Sequence, residues 1–285
     1  MSCALIRADM QRRADRGRSS LGEHHSSVKQ SETGAPEITE DAVLGNRLRL
    51  RQPREGHRFG HDAILLAAAC PARAGEYAVE LGAGVGAAGL ALANRVEGLS
   101  LTLVEIDECL AGLARENAQI NGLSRRVHVL NLDALAPAGV FAAAGLAPES
   151  VTRVLMNPPF NLPGRHRLSP NRRRRLAHAG WTLPGWIKTA ARLLRPRGTL
   201  TLICRADTLD KVLEALSPAF GGLLVLPVHS TPEGHAIRVL VRGTKASRAP
   251  LCLLPPLFLH GSDGRASAQA EAILRLGSTL PLADL

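Results

Sequence analysis

Four consecutive residues near the middle of the chain, Asn157, Pro158, Pro159 and Phe160, carry groups suited to chemistry on a planar amino group. The Asn157 side chain has a carbonyl that accepts a hydrogen bond, and Pro158 leaves its backbone carbonyl free as a second acceptor. Phe160 offers a flat ring on which a base can stack. Two adjacent prolines stiffen the backbone, which keeps both acceptors aimed at one place. The alternative interpretation is a strand terminator followed by a buried phenylalanine.

A second chemical signal lies upstream, in the sequence Val79-Glu-Leu-Gly-Ala-Gly-Val-Gly86. A short apolar strand is predicted over residues 77–81, and Gly82, Gly84 and Gly86 follow it. Glycines permit a sharp turn from strand to helix and let a ligand approach the bare backbone. The next helix would point free N–H groups and the positive end of its dipole at that ligand. The pattern favours a nucleoside cofactor, but the glycines alone do not separate NAD from other nucleosides.

Acidic residues follow the next two predicted strands. Glu105 is the first polar residue after an apolar strand, and a carboxylate there can accept hydrogen bonds from both ribose hydroxyls of a nucleoside. Asp107 is predicted to cap the helix that begins after it. Asp133 ends the third strand, where the alternative is simply an acid that begins a loop. Three strands that each end in a polar group predict a nucleoside cleft along one edge of a sheet.

The elements that must position these residues alternate between strand and helix. Seven strands are predicted, at residues 77–81, 101–105, 127–131, 151–156, 198–203, 222–228 and 236–242. Helices are predicted at residues 62–69, 86–95, 108–121, 138–146, 184–194, 207–217 and 266–275. This alternation predicts an α/β, Rossmann-like fold with a mostly parallel seven-stranded sheet and helices on both faces. The last strand should be antiparallel, because a non-helical loop with Pro232 and Gly234 joins it to the strand before.

In their order along the chain, these motifs resemble those of class I S-adenosylmethionine (SAM) methyltransferases that act on amino groups. The matching segments are Val79–Gly86, Val104–Asp107, Asn131–Asp133 and Asn157–Phe160. The chain is similar in particular to bacterial enzymes that methylate N6 of the adenine beside the anticodon in a valine tRNA. The segment Gly56-His-Arg-Phe-Gly-His-Asp-Ala-Ile-Leu-Leu66 looks like the part of those enzymes ahead of the first core strand. The resemblance covers about residues 43–275.

The resemblance implies SAM as the cofactor and gives individual residues a role. Glu105 would hold the ribose, Asp133 would accept from the adenine amino group, and Asp62 would close the pocket from outside the sheet. Asn157 and the Pro158 carbonyl would hold the target amino group. The residues implied to bind the cofactor are Asp62, Glu80, Gly82, Ala83, Gly84, Gly86, Glu105, Ile106, Asp133, Ala134 and Asn157.

The charge of the chain favours a polyanionic partner. With 35 Lys and Arg against 25 Asp and Glu, the formal net charge is +10. The first 40 residues carry six basic and six acidic residues, so the excess belongs to residues 41–285. Six arginines without an intervening acid follow the tetrapeptide, where a phosphate backbone would pass: Arg165, Arg167, Arg172, Arg173, Arg174 and Arg175. They predict a nucleic-acid contact, most simply with tRNA, against the alternative of a solvated charge run.

The expected function is therefore SAM-dependent methylation of N6 of an adenine in RNA, with tRNA as the first candidate. The alternatives are guanine N2-methylation of ribosomal RNA, methylation of DNA adenine, glutamine methylation of a release factor, and a non-catalytic SAM- and RNA-binding protein. The ribosomal enzymes usually carry a duplicated domain, and the release-factor enzymes carry a folded helical domain ahead of the cofactor domain. The intact Asn157 argues against the non-catalytic alternative.

The domain organisation is predicted from composition. Residues 1–40 are polar and are expected to form a disordered leader, followed by a single methyltransferase domain over residues 41–285. Within that domain, residues 41–70 should form a hairpin and a helix, and residues 250–285 a C-terminal extension. No apolar stretch approaches about 18 residues, so we expect no membrane span. We also expect a cytoplasmic protein with no evident obligate protein partner.

Other side chains carry weaker signals. The five cysteines lack CxxC spacing and the ten histidines lack ligand spacing, so the sequence predicts reduced core thiols and no metal. Only 3% of residues are aromatic, which argues against an extended platform for stacking bases. Trp181 and Trp186 are predicted to pack in the core rather than to contact a base.

Overall fold

Alternating strands and helices make up the described part of the chain, which in this computed structural model covers residues 37–55, 58–159 and 183–284. The strands are β1 Ile38–Val43, β2 Leu48–Pro53, β3 Tyr77–Leu81, β4 Ser100–Glu105, β5 Val127–Asn131, β6 Val151–Met156, β7 Leu194–Arg205, β8 Phe220–His229, β9 Ala236–Lys245, β10 Cys252–Leu253 and β11 Leu257–Phe258. The helices are α1 His61–Ala69, α2 Ala87–Arg95, α3 Glu108–Ile120, α4 Ala138–Ala143, α5 Leu183–Leu193, α6 Leu209–Leu216, α7 Ala268–Leu274 and α8 Pro281–Asp284. None of these helices combines the length and the apolar character needed to cross a membrane.

The main sheet has the order β10-β8-β9-β7-β6-β3-β4-β5, with β11 also paired to β8. Strands β3 to β7 run parallel, whereas β9 is antiparallel to both β7 and β8. This confirms the predicted α/β fold with a mostly parallel sheet and an antiparallel last long strand. The predicted number of seven strands was wrong for the whole sheet, because β10 and β11 in the C-terminal extension pair parallel with β8.

The order of the strands reverses at β3, which lies between β4 and β6. The chain leaves β3 in one direction through β4 and β5, and later returns to add β6 on the other side. In open parallel sheets a crevice forms at such a point, outside the carboxyl ends of the strands. The glycine loop after β3 and the tetrapeptide after β6 therefore emerge at the position where this topology favours a ligand.

Helices cover both faces of the sheet, as the alternation of side chains along each strand requires. In β3, Ala78 packs into one buried cluster with α1, α2 and α3, while its neighbour Val79 packs into a second cluster with α4, α5 and α6. In β4, Leu103 and Val104 divide in the same way. Strands β3 and β4 are thus buried on both sides, which fixes where their carboxyl ends lie.

A small antiparallel hairpin, β1 and β2, lies outside the main sheet. The hairpin turns around Gly45 and Asn46, and β1 begins at Ile38, inside the segment predicted as a leader. The edge of β2 that faces away from β1 is hydrogen-bonded to two asparagines: Asn117 in α3, and Asn121, which caps the C-terminus of α3. Asn121 accepts from the Arg49 N–H at 2.9 Å and donates to the Arg49 carbonyl at 2.7 Å. Asparagine carboxamides therefore satisfy backbone groups that an edge strand would otherwise leave to water.

The second asparagine, Asn117, is fully buried and connects the hairpin to the glycine loop. Its carbonyl oxygen accepts from the Arg51 N–H at 2.7 Å. Its amide group donates to the carbonyl oxygens of Arg51 and of Val85, both at 3.0 Å. A single buried side chain thus ties β2, α3 and the glycine loop together.

The four cysteines in the described part of the chain divide into two groups. Cys70 and Cys204 are buried, and burial raises the pKa of their thiols to about 11 and about 12. Cys109 and Cys252 are exposed, so the prediction that the cysteines are core thiols was wrong for these two. Cys109 lies in the first turn of α3, and Cys252 lies in the short strand β10, whose two residues both face solvent. Among the described residues, no group of three or more His, Cys, Asp or Glu is arranged to hold a metal ion.

Gly89 in the first turn of α2 gives a prediction for stability. A Cβ atom at this position would lie 2.5 Å from Leu103 Cδ2 and 2.6 Å from Glu80 Oε2. We expect Gly89→Ala to destabilise the protein by about 1–3 kcal/mol, because the buried core cannot yield without strain. Gly112 in α3 is the matched control, because its Cβ position has no atom within 4 Å. Gly112→Ala should stabilise the protein by about 0.5–1 kcal/mol through its helix propensity.

Urea unfolding at equilibrium, with both variants compared to the wild type, measures these two free energies. The expected result is a change of opposite sign for the same substitution in two helices. A Gly89→Ala protein as stable as Gly112→Ala would contradict the close packing of α2 on β4.

Candidate active site

The glycine loop and the tetrapeptide begin side by side. Leu81 of β3 is paired with Met156 of β6 in a parallel register, so Gly82 and Asn157 are the next residues on adjacent strands. Met156 is fully buried, whereas Asn157 is exposed. The register therefore brings the predicted amino-group acceptor to the start of the predicted cofactor loop.

Three glycines give the loop its course. Gly82, Gly84 and Gly86 have φ angles of +67°, +57° and +84°, a region that side chains disfavour. The N–H groups of Gly82 and Ala83 both donate to the Val104 carbonyl, at 2.8 and 3.0 Å, which holds the loop against β4. A Cβ atom on Gly84 would meet nothing within 4 Å. The loop is thus closely packed at its two ends and open at Gly84.

Glu105 fixes the open part of the loop. Its side chain is nearly buried, with Oε2 accepting from the Gly84 N–H at 2.7 Å and Oε1 accepting from the Asp107 N–H at 2.8 Å. Asp107 in turn accepts from the N–H groups of Cys109 and Leu110, which confirms that it caps α3. The two neighbouring acids therefore differ in their roles in the structure: one holds the glycine loop and the other starts a helix.

Glu80 lies behind the loop. Its carboxylate is 3% exposed, and Oε2 accepts from the Gly89 N–H at 2.7 Å, which ties β3 to the first turn of α2. Burial raises the pKa of Glu80 to about 8; the hydrogen bond from Gly89 opposes this rise and the charge of Glu105 adds to it. In this structure the partner of the carboxylate is the helix backbone, and its contact with a cofactor stays a prediction.

The raised pKa of Glu80 predicts a pH dependence of stability. Between the ordinary value of 4.5 and about 8, the folded protein keeps a proton that the unfolded chain has released. The contribution of this group to stability is therefore full at low pH and is lost as the pH rises toward 8, by no more than about 1.4 kcal/mol per pH unit.

Glu80→Gln keeps an acceptor for Gly89 but has no proton to lose. Its stability relative to the wild type should rise from about pH 5 to about pH 8 in urea unfolding without cofactor. A difference that stays constant with pH would contradict the raised pKa.

The carboxyl ends of β4 and β5 lie at the same edge of the sheet as the glycine loop. Asn131 donates to the carbonyl oxygens of Glu105 and Ile106, at 2.9 and 3.0 Å, and so locks the two strand ends together. Asp133 is exposed, and its Oδ1 accepts from the Leu135 N–H at 2.8 Å. Ile106 is 52% exposed, so its apolar side chain is available to cover a flat base. Two alanines predicted at the site, Ala83 and Ala134, are buried.

The tetrapeptide is described as far as Pro159. Asn157 and Pro159 are exposed, while Pro158 between them is buried. Phe160 lies outside the described residues, and the same holds for Trp181 and the six arginines predicted to contact nucleic acid: Arg165, Arg167, Arg172, Arg173, Arg174 and Arg175.

Asp62 lies in the first turn of α1 and makes an ion pair that the sequence did not indicate. Its Oδ2 is 2.8 Å from Nε of Arg238, and both side chains are about one-third exposed. Arg238 of β9 is paired with Arg205, the last residue of β7, so the ion pair lies at the carboxyl edge of β7. Arg238 and Asn117 were both missed by the sequence analysis. The available signal for Arg238 was a charged residue between two apolar neighbours, Ile237 and Val239, near the start of a strand.

These residues fit a nucleoside cofactor. The open backbone at Gly84 gives room for a ligand, and the neighbouring Glu105 carboxylate has lone pairs beyond the two already used. Ile106 offers an apolar surface, and the Asp133 carboxylate lies two residues beyond the strand that pairs with β4. Carboxylates and a bare glycine backbone on one sheet edge are the groups that ribose hydroxyls and an adenine ring require.

Comparison with known proteins agrees with this geometry. The profile of the methyltransferase small domain family matches residues 58–227. A tRNA1(Val) (adenine(37)-N6)-methyltransferase of Porphyromonas gingivalis W83 is 32% identical over 218 residues, which cover 73% of this chain and 83% of that protein. A protein of the same name from Erwinia tasmaniensis is 30% identical over 158 residues, 55% of this chain and 62% of the relative, which is less than two thirds of its length.

A solved structure also resembles the chain. The crystal structure of a predicted O-methyltransferase from Agrobacterium tumefaciens is 30% identical and superimposes with a TM-score of 0.63. The match covers 77% of this chain and 98% of that one. Family profile, relatives and fold point in the same direction: the chain belongs to the methyltransferase small domain family and is a SAM-dependent methyltransferase.

Proposed function

We propose that the protein transfers the methyl group of SAM to the exocyclic N6 amino group of an adenine in RNA, and that this RNA is a tRNA. The observation that carries the proposal is the exposed Asn157, which follows β6 directly beside Gly82, the first residue of the glycine loop. An acceptor for an amino group and the turn that would hold the methyl donor thus begin on adjacent strands, about 5 Å apart.

The residues at this edge favour an amino group over a hydroxyl group. A hydroxyl group has one hydrogen and needs a base to remove it, whereas neither the Asn157 carboxamide nor the Pro158 carbonyl is a base at neutral pH. An amino group has two hydrogens, which two carbonyl oxygens can accept. The tetrapeptide therefore supports N-methylation, although the solved relative from Agrobacterium tumefaciens is named as a predicted O-methyltransferase.

The acceptors act on the electrons of the amine. The lone pair of an aromatic amine is delocalised into the ring, which makes the nitrogen a poor nucleophile. When Oδ1 of Asn157 and the Pro158 carbonyl each accept one N–H, a pyramidal nitrogen is favoured, and its lone pair points away from the ring plane. When bound, SAM would supply a methyl group whose bond to the sulfonium sulfur breaks as the bond to nitrogen forms, with neutral S-adenosylhomocysteine as the leaving group and one N–H proton released to solvent. Alignment of this kind can lower a barrier by about 7–11 kcal/mol in favourable cases.

The adenine and the tRNA are proposed from the relatives and from charge. Both relatives reported above are named for methylation of adenine 37 in a valine tRNA. The formal net charge of +10 suits a polyanionic substrate. We expect the predicted arginines, Arg165, Arg167, Arg172, Arg173, Arg174 and Arg175, to contact its phosphates. A tRNA-modifying enzyme would act in the cytoplasm.

The proposal is tested by offering the protein separate pools of substrate with labelled SAM. Total tRNA, ribosomal RNA, DNA and release factor are incubated in parallel, and the labelled product is hydrolysed and identified by mass spectrometry. The expected result is label in tRNA alone, as N6-methyladenosine. Label in ribosomal RNA as N2-methylguanosine, or in DNA or release factor, would overturn the choice of substrate. Bound SAM without label in any pool would favour a non-catalytic binding protein.

A further inference from the structure

Trp186 of α5 lies against the first glycine of the loop. A Cβ atom built on Gly82 would be 2.4 Å from Cη2 and 2.8 Å from Cζ3 of the indole, so the ring rests on the bare backbone. The side chain is partly exposed, and its buried part packs on the cluster beneath α5. A packing role is what the sequence predicts for Trp186, and the structure adds a second contact at the carboxyl edge of β3.

The position of this contact is specific. Gly82 is the neighbour of Asn157 across β3 and β6, so the indole lies beside the place where the amine and the methyl donor must meet. We propose that Trp186 forms one wall of the methyl-transfer compartment and faces the sulfonium of SAM with its ring. The proposal rests on the cofactor lying over the glycine loop, as in the proposed function.

The acids beside the glycine loop are already hydrogen-bonded, so an aromatic ring is suited to face the positive charge of the sulfonium. Of the two acids beside the loop, Glu80 is a buried carboxyl group that accepts from the Gly89 N–H, and Glu105 is a nearly buried carboxylate that accepts from the N–H groups of Gly84 and Asp107. An indole face attracts a cation through its quadrupole and needs little rearrangement to do so. Such a wall also excludes water from the reacting atoms, which a carboxylate would attract.

The charge of the ligand distinguishes this role from simple packing. SAM carries a sulfonium, whereas S-adenosylhomocysteine has the same shape without the methyl group and is neutral at sulfur. Calorimetric titration of Trp186→Leu with both ligands should show an affinity for SAM that is about tenfold lower, with the affinity for S-adenosylhomocysteine changed less than about threefold. Trp186→Phe keeps an aromatic face and should retain most of the preference. Equal losses for both ligands, or no loss for either, would overturn the proposal.

A second measurement uses the protein without a change at Trp186. The chain has two tryptophans, so Trp181→Phe leaves Trp186 as the single indole emitter. We expect SAM to quench its fluorescence and S-adenosylhomocysteine to quench it less. Emission that does not respond to bound SAM would overturn the proposal, even if Trp186→Leu fails to fold.

These outcomes are separate from those of the proposed function. If SAM binds with the expected preference and tRNA takes up no label, the proposed substrate is wrong and the assignment of Trp186 stands. If tRNA is methylated and the two ligands lose affinity equally in Trp186→Leu, only the assignment of Trp186 is wrong.

Discussion

Asn157→Ala is expected to lower kcat for methyl transfer by about 10²–10³-fold while the affinity for SAM stays within about threefold of the wild type. The side chain is exposed at the end of β6, and its proposed contact is with the target amine. Loss of an acceptor that acts mainly in the transition state lowers the rate without weakening the cofactor. Single-turnover transfer from labelled SAM to tRNA gives the rate, and calorimetry gives the affinity.

Asn157→Asp is the informative companion variant. A carboxylate of similar reach keeps an acceptor oxygen for the amine, so this variant should retain more activity than Asn157→Ala. Equal inactivity of the two variants would show that the carboxamide has another role. Loss of SAM binding in Asn157→Ala would place the side chain at the cofactor instead of at the amine.

Three short strands were predicted with the correct boundaries. The boundaries predicted for β3, β5 and β6, at residues 77–81, 127–131 and 151–156, agree with the structure. Each is a short, mostly apolar run that ends at or directly before a glycine or an asparagine, and the two central strands, β3 and β6, are mostly buried. The positions of the glycine loop and of Asn157 follow directly from these strand ends.

Strands whose ends depend on pairing were predicted less well. The sequence predicts β7 at residues 198–203, yet the strand runs from Leu194 to Arg205. The pairing register of β7 against β6 shifts between Val151 and Arg153. This irregularity lets the strand continue through residues that do not fit a regular strand pattern. The two-residue strands β10 and β11 have no local signal, and they form only because the edge of β8 is available.

The contacts within the site depend on residues far apart in the chain. The spacing of polar residues after strands predicts that Glu105 lies at the sheet edge, but it does not predict the bond to Gly84, 21 residues away. The ion pair of Asp62 joins residues separated by 176 positions, and the bonds of Asn117 span 66 and 32. Local sequence patterns predict which side chains lie at the carboxyl edge of the sheet, whereas the tertiary structure determines which of them form contacts.

The Glu105 carboxylate gives the second large expected effect. Its two oxygens serve two different donors, the N–H groups of Gly84 and Asp107. In Glu105→Gln one oxygen becomes an NH₂ group that faces a donor, so one backbone N–H loses its partner and the loop is displaced. The proposed acceptor for the ribose is weakened at the same time. Since hydrogen bonds to a charged group contribute about 1.5–3 kcal/mol each, we expect the affinity for SAM to fall about 10²-fold in calorimetric titration.

Asp107→Asn is the matched control, because it removes one negative charge from the same edge of the sheet. Asparagine caps helices as well as aspartate does, so the start of α3 and the glycine loop should be preserved. The affinity for SAM should then stay within about threefold of the wild type. If both variants bound SAM equally weakly, the loss of affinity would come from the removed negative charge and not from the geometry of Glu105. A large loss in Glu105→Gln alone shows that the geometry of one carboxylate, held between two backbone donors, makes the loop able to bind a nucleoside.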